Sequence, residues 1–104
     1  MKEILQNQVL ELYESDEDNC FYFYTPFCGT CKMASKMLEI TEAAIEEVTI
    51  YKINLNLAPY LSKEFQIESV PCLIITKNGK ILDKLYAFRS VTELYNKFSS
   101  ETLS

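Results

Sequence analysis

Histidine and tryptophan are missing from the 104 residues, and glycine occurs only twice. Without histidine there is no Ser/His/Asp triad, no Cys/His nucleophile pair and no histidine metal site. Gly29 and Gly79 are too few for a dinucleotide-binding fingerprint or a phosphate-binding loop. Basic charge is scarce as well, with 10 Lys and Arg against 15 Asp and Glu, a net of −5. A chain with no basic stripe has nothing to neutralise phosphates, so no nucleic acid is expected as a partner. Long apolar runs are absent too. The longest uncharged stretch, Asn19 to Cys31, is too short to span a bilayer and contains Pro26, so no membrane partner is expected. Residues 1–12 carry Lys2, Glu3 and Glu11 and show no apolar core of an export signal. The expectation is a cytoplasmic chain whose thiols are kept reduced.

The remaining composition is that of a globular domain. Hydrophobic residues make up 48% of the chain, enough for one core at this length. Residues 1–104 are therefore read as a single domain, with no repeat, low-complexity tract or linker. The acidic excess lies wholly in residues 1–52, which carry ten acidic and four basic side chains. Runs such as Glu14-Ser15-Asp16-Glu17-Asp18 read as solvated surface.

Periodicity orders the elements. Ile4, Leu5, Val9 and Leu12 fall at near-helical spacing, and Asp16 to Asn19 breaks the pattern. Cys20 to Tyr24 is a short apolar run, the mark of a strand covered on both faces. From Met33 to Val48 apolar residues recur every three or four positions, predicting a long helix that starts just after Gly29. Thr49 to Leu55 alternates and is rich in β-branched residues, a second strand. Pro59 suits the first turn of a short helix carrying Leu61 and Phe65. Cys72 to Thr76 and Ile81 to Tyr86 flank Asn78-Gly79, the residue pair that best tolerates a tight hairpin. Ser90-Val91-Thr92-Glu93 is a capping box opening a last helix, with Val91, Leu94, Tyr95 and Phe98 facing inward. The order α-β-α-β-α-β-β-α predicts a four-stranded mixed sheet with helices on both faces.

Chemistry then rests on cysteine. Of the four, Cys28 and Cys31 form a CxxC, a spacing expected ~0.1 times by chance for four cysteines in this length. The pair follows a buried strand and opens a helix, where unpaired N–H groups and the dipole favour a thiolate at Cys28. Cys31 lies one turn in, close enough to close a small disulfide ring. Lowering a thiol pKa from about 8.5 to about 7 raises its thiolate at pH 7 roughly sixteen-fold. Each thiolate is then about four- to six-fold less nucleophilic, so attack gains only about three-fold. A better leaving group at Cys28 and an intramolecular attack by Cys31 are the larger advantages. Two buried hydrophobes, or half of a zinc site, are the plainer readings of the pair.

Thr25-Pro26-Phe27-Cys28-Gly29-Thr30-Cys31-Lys32, with Val70-Pro71 before a strand and the Asn78-Gly79 hairpin, resembles the thioredoxin family over essentially the whole chain. The resemblance implies a thioredoxin-like three-layer α/β/α sandwich, with room for a fifth, N-terminal strand that the pattern does not reveal. It implies a thiol–disulfide oxidoreductase with Cys28 attacking, Cys31 resolving and no organic cofactor. Val70-Pro71 would be a cis peptide whose backbone aligns substrate beside Phe27, Gly29, Thr30 and Cys72. The implied partners are disulfide-containing proteins and a thioredoxin reductase-like recycling system.

The sequence departs from that family at named positions. Phe27 replaces a tryptophan and is expected to cover the site without donating a hydrogen bond. Thr30 replaces a proline, adding a hydroxyl and an N–H. Tyr22 stands where a buried aspartate assists Cys31, leaving Lys52 without its usual partner and slowing resolution. Cys72 replaces a threonine and is expected near the dithiol, as a third redox thiol, a ligand in a zinc or iron site with Cys28 and Cys31, or a plain strand residue. Cys20 reads as structural. A non-catalytic thioredoxin-fold adaptor is the remaining alternative.

Overall fold

The computed structural model describes residues 1–15 and 17–103. Its elements are β1 (Lys2–Glu3), α1 (Gln6–Glu14), β2 (Asn19–Tyr24), α2 (Gly29–Ala44), β3 (Ile50–Asn54), a 3₁₀ turn (Leu55–Leu57), α3 (Pro59–Glu64), β4 (Cys72–Lys77), β5 (Lys80–Leu85) and α4 (Val91–Leu103). One five-stranded sheet runs β1-β3-β2-β4-β5. β1, β3 and β2 are parallel, while β4 runs antiparallel to both β2 and β5.

The fifth strand is the N-terminal one. Lys2 and Glu3 pair with Tyr51 and Lys52, so Ile4 enters the core from a strand end and not from a helix. Two residues are too few for alternation to reveal a strand. The first helix accordingly starts at Gln6, and Gln8 Oε1 accepts the Leu5 N–H at 2.9 Å, leaving the Leu5 side chain exposed. Of the expected Asp16 to Asn19 break, Asp16 lies outside the described residues.

Strand alternation divides the core into two. Phe21, Phe23, Cys72 and Ile74 face one way and meet Val9 of α1 and Leu61 of α3. Tyr22, Leu73 and Ile75 face the other way and meet Ala34 and Leu38 of α2 and Leu94 and Phe98 of α4. Phe65 closes the first layer, with its ring 5.0 Å from Tyr13, 6.2 Å from Phe23 and 6.5 Å from Phe21. Burial of one such ring contributes about 1.5–3 kcal/mol. It is this packing that holds α3, and with it the loop leading to Pro71.

The long helix stops at Ala44, earlier than its periodicity suggests. Ile45 turns extended but stays buried, so the apolar pattern outlasts the helix. Glu42 ties that end to the sheet by accepting the Ile50 N–H at 2.7 Å and pairing with the Met1 amine at 2.8 Å. Met33 and Ile40 are exposed, because Ala34, Leu38 and Thr41 take the core-facing register. In α4, Leu94 and Phe98 are buried while Tyr95 is exposed. Ser90 Oγ accepts the Glu93 N–H at 3.1 Å, as the capping pattern predicts. The β4–β5 turn places Asn78 at φ 55° and Gly79 at φ 74°, the double positive φ of a tight hairpin.

Gln66, just past α3, holds φ 51° with an exposed side chain. A side chain at such an angle costs about 1–2 kcal/mol. Gln66→Gly is therefore expected to raise stability by about 1 kcal/mol, seen as a higher urea midpoint at constant m-value. A lower midpoint would mean that the glutamine side chain makes stabilising contacts.

Candidate functional site

β2 delivers the chain to its end at Tyr24, and Thr25 to Phe27 turn it into α2. Cys28 is the N-cap of that helix, with extended backbone at φ −95° and ψ 112°. Its amide donates to the Thr25 carbonyl at 3.3 Å. Its sulfur accepts the Cys31 N–H at 3.2 Å and lies 3.3 Å from the Thr30 hydroxyl. A sulfur so placed sits where the unpaired N–H groups and positive end of the helix converge. Hydrogen bonds from Cys31 and Thr30 outweigh its slight burial and lower the Cys28 pKa below the ordinary thiol range. Cys31, one turn in, is buried, and burial together with the neighbouring Cys28 pushes its thiol up to about 11. The two thiols are thus set apart: one half-exposed and ready to ionise, the other buried and protonated.

Gly29 opens the helix, and a Cβ there would meet nothing within 4 Å. The surface beside Cys28 is therefore open to an approaching chain. The Val70–Pro71 peptide is cis. Val70 and Pro71 line a groove of about 390 Å³ together with Thr30, Met33, Tyr86 and Phe88. Neither Cys28 nor Cys31 lines that groove, which reaches the CxxC segment through Thr30, whereas a smaller cavity of about 150 Å³ beside Cys20, Thr76 and Phe98 includes no residue of that segment.

Phe27 is 97% exposed, so it does not cover the site as expected. A phenyl ring has no N–H with which to tie itself to the domain, and it stands in solvent as free apolar area. Cys72 does not join the dithiol. It pairs with Phe23 and shares its face, in the layer of α1 and α3, whereas Tyr22 and Leu73 point toward α2. Burial raises its pKa to about 11, and a hydrogen bond with Tyr86 only partly offsets this. Among the described residues no group of three His, Cys, Asp or Glu side chains is placed to hold a metal ion, so the three-thiolate site is not supported. Cys20 packs in the other layer, against the α2 and α4 side, as a structural residue would.

Tyr22 lies buried beside Cys31, where its place in the pattern puts it, and Lys52 has a partner of another kind. Tyr22 is fully buried, and its hydroxyl donates to the Cys31 carbonyl at 2.8 Å and accepts from Ser35 Oγ at 3.1 Å. Burial pushes its pKa well above that of a free phenol, so it stays neutral. Lys52 has an aromatic partner, its Nζ lying 4.7 Å from the centroid of the Tyr24 ring. The Tyr24 hydroxyl bonds the Glu3 carboxylate, and its pKa is raised to about 12, first by burial and then by that bond.

Sequence reasoning missed Ser35, Met33, Tyr86 and Phe88. Met33 did carry a signal, since it lies one position off the register of Ala34, Leu38 and Thr41. The other three gave none: Tyr86 and Phe88 follow β5, far from the dithiol along the chain, and a helix serine is usually surface.

Comparison with known proteins agrees with this geometry. The Thioredoxin family model matches residues 2–100. Thioredoxin-like protein YusE of Bacillus subtilis is 40% identical over 104 residues, spanning 100% of this chain and 96% of that protein. The thioredoxin of Chlamydia caviae is 34% identical over 80 residues, spanning 74% of this chain and 78% of its own. A chloroplastic thioredoxin z of known structure superposes with a TM-score of 0.85 at 19% identity, over 100% of this chain and 96% of the other, a likeness of fold.

The split between the thiols is open to measurement. Alkylation by iodoacetamide is expected to modify Cys28 with a midpoint below the ordinary thiol range, leaving Cys31 unreacted at neutral pH. Thr30→Val removes one hydrogen bond to the thiolate, so the Cys28 midpoint should rise and its rate at pH 7 fall about two- to five-fold. A variant midpoint equal to the wild type would show that the hydroxyl does not stabilise the thiolate.

Proposed function

The chain belongs to the thioredoxin family and is a thiol–disulfide oxidoreductase, and from this premise we propose that residues 1–104 act as one domain whose Cys28/Cys31 dithiol reduces disulfides in other proteins. The observation that carries the reading is the Cys28 sulfur, which accepts the Cys31 N–H at a helix start whose Thr30 lines the groove of Val70 and Pro71.

In the first step the Cys28 thiolate attacks one sulfur of a substrate disulfide. A Cys28–substrate bond forms, the substrate S–S bond breaks, and the departing sulfur leaves as a thiolate. In the second step Cys31 loses its proton and attacks the Cys28 sulfur. The Cys28–Cys31 disulfide forms, and the second substrate sulfur leaves with its electron pair. Two electrons pass from the dithiol to the substrate, and a reductase-like thiol system must restore the dithiol. A substrate strand lies along the backbone at Val70 and Cys72, with apolar side chains against Phe27, Met33 and Phe88. Gly29 and Thr30 leave the approach to Cys28 free. Tyr22 and Lys52 support the dithiol through the aromatic pair beneath it. A reducing compartment such as the cytoplasm suits this direction. Among the described residues no helix is long and apolar enough to cross a membrane.

Under a glutathione redox buffer, mass spectrometry should find Cys28 and Cys31 paired, and a reductant requires a potential near or below about −220 mV. In an insulin-reduction assay, Cys28→Ser should abolish turnover, while Cys31→Ser should keep the first attack and accumulate a mixed disulfide. Equal rates for wild type and Cys28→Ser would mark a binding adaptor instead.

A further inference from the structure

Cys31 presents a problem of proton disposal. It is buried, its thiol is held neutral, and it must ionise to attack. Among the described residues no carboxylate is hydrogen-bonded to Cys31 or to Tyr22. The titratable groups acting on Cys31 are Cys28 on its own helix and Tyr22 of β2. Behind Tyr22 lie Tyr24, stacked on it at 6.2 Å, then Lys52 of β3 over the Tyr24 ring and Glu3 of β1 on the Tyr24 hydroxyl. Glu3 is thus spent on the wrong ring. The remaining neighbours are apolar: Leu73 of β4 beside Tyr22, Phe88 edge-on to its ring at 6.3 Å, and Leu94 and Phe98 of α4.

Two hydroxyls do connect Cys31 to the surface. The Tyr22 hydroxyl donates to the Cys31 carbonyl at 2.8 Å, which sets it against the residue whose thiol must ionise, and it acts to lower the pKa of that thiol. Ser35 lies four residues on, hence on the same face of α2, and donates to Tyr22 at 3.1 Å. Ser35 itself is half-buried, at the edge of the core-facing register of α2.

We propose that Tyr22 and Ser35 form a hydroxyl relay that carries the proton of the Cys31 thiol to solvent when Cys31 attacks the mixed disulfide. The inference rests on the reading of Cys31 as the resolving thiol. In the relay, the Cys31 S–H donates to Tyr22 Oη, Tyr22 turns its O–H to Ser35 Oγ, and Ser35 turns its own to water. Each oxygen gains one proton as it gives one up, so neither hydroxyl is left charged. Tyr22 then returns its O–H toward Cys31 and stabilises the thiolate by hydrogen bonding as it attacks the Cys28 sulfur. Ser35 acts through Tyr22 and is a positioning residue.

The test uses reduced protein in excess over 5,5′-dithiobis(2-nitrobenzoic acid), so that only the fastest thiol reacts with the reagent. Attack by Cys28 releases one coloured thiolate, and resolution by Cys31 releases the second. Tyr22→Phe should slow the second phase relative to the first by about ten-fold at pH 7 and move its pH–rate midpoint upward. Ser35→Ala should shift the ratio in the same direction by about three-fold, and Ser35→Thr, which keeps a hydroxyl, should restore it. Ser35 is half-exposed, so its two variants keep the test decisive if Tyr22→Phe loses the fold. An unchanged ratio and pH profile in Ser35→Ala overturns the relay. A wild type that shows no second phase overturns the dithiol reading on which it rests.

Discussion

An α-helix leaves its first N–H groups without partners, and in this protein a cysteine sulfur takes one of them. The Cys31 amide donates to Cys28 Sγ, which is at once the cap of α2 and the most ionisable thiol of the pair. Helix formation and nucleophile activation are therefore one interaction. The sheet enforces it, because β2 is central in β1-β3-β2-β4-β5 and has little freedom in where it ends. A rigid strand end fixes the helix start, and the helix start fixes the sulfur.

The second thiol is controlled from beneath. The Tyr22 hydroxyl reaches up from the middle of β2 to the Cys31 carbonyl, so the first turn of α2 is tied to the sheet by a neutral group. A carboxylate buried at that point would carry a desolvation cost of several kcal/mol unless paired. A phenol avoids this cost and fills the volume, with Tyr24 and Phe88 packed on its ring. The consequence, among the described residues, is a buried thiol with no carboxylate bonded to it or to Tyr22. Charge is kept further out, where Lys52 lies over Tyr24 and Glu3 meets its hydroxyl.

Much of this was legible in the order of residues, for reasons that are local. The hairpin at Asn78-Gly79 follows from two residues that tolerate positive φ, and both adopt it. The Ser90 cap follows from a hydroxyl three residues before Glu93. A long periodic segment announced α2, and a short apolar run the strand before it. Short or blurred signals failed. β1 has two residues, and Met33 and Ile40 lay on the edge of an apolar stripe broad enough to fit two registers.

The sequence by itself determined the dithiol and its place between a strand and a helix, because each depends on neighbours within a turn or two. Only the tertiary structure decided which way Cys72 faces, since that depends on strand register. One residue of offset would carry it from Phe23's layer to Leu73's. Packing likewise left Phe27 in solvent and brought Phe88, from beyond β5, beside Met33 and Pro71. It also set Ser35 against Tyr22, thirteen residues away, and so supplied the dithiol with hydroxyls where the sequence showed only a missing carboxylate.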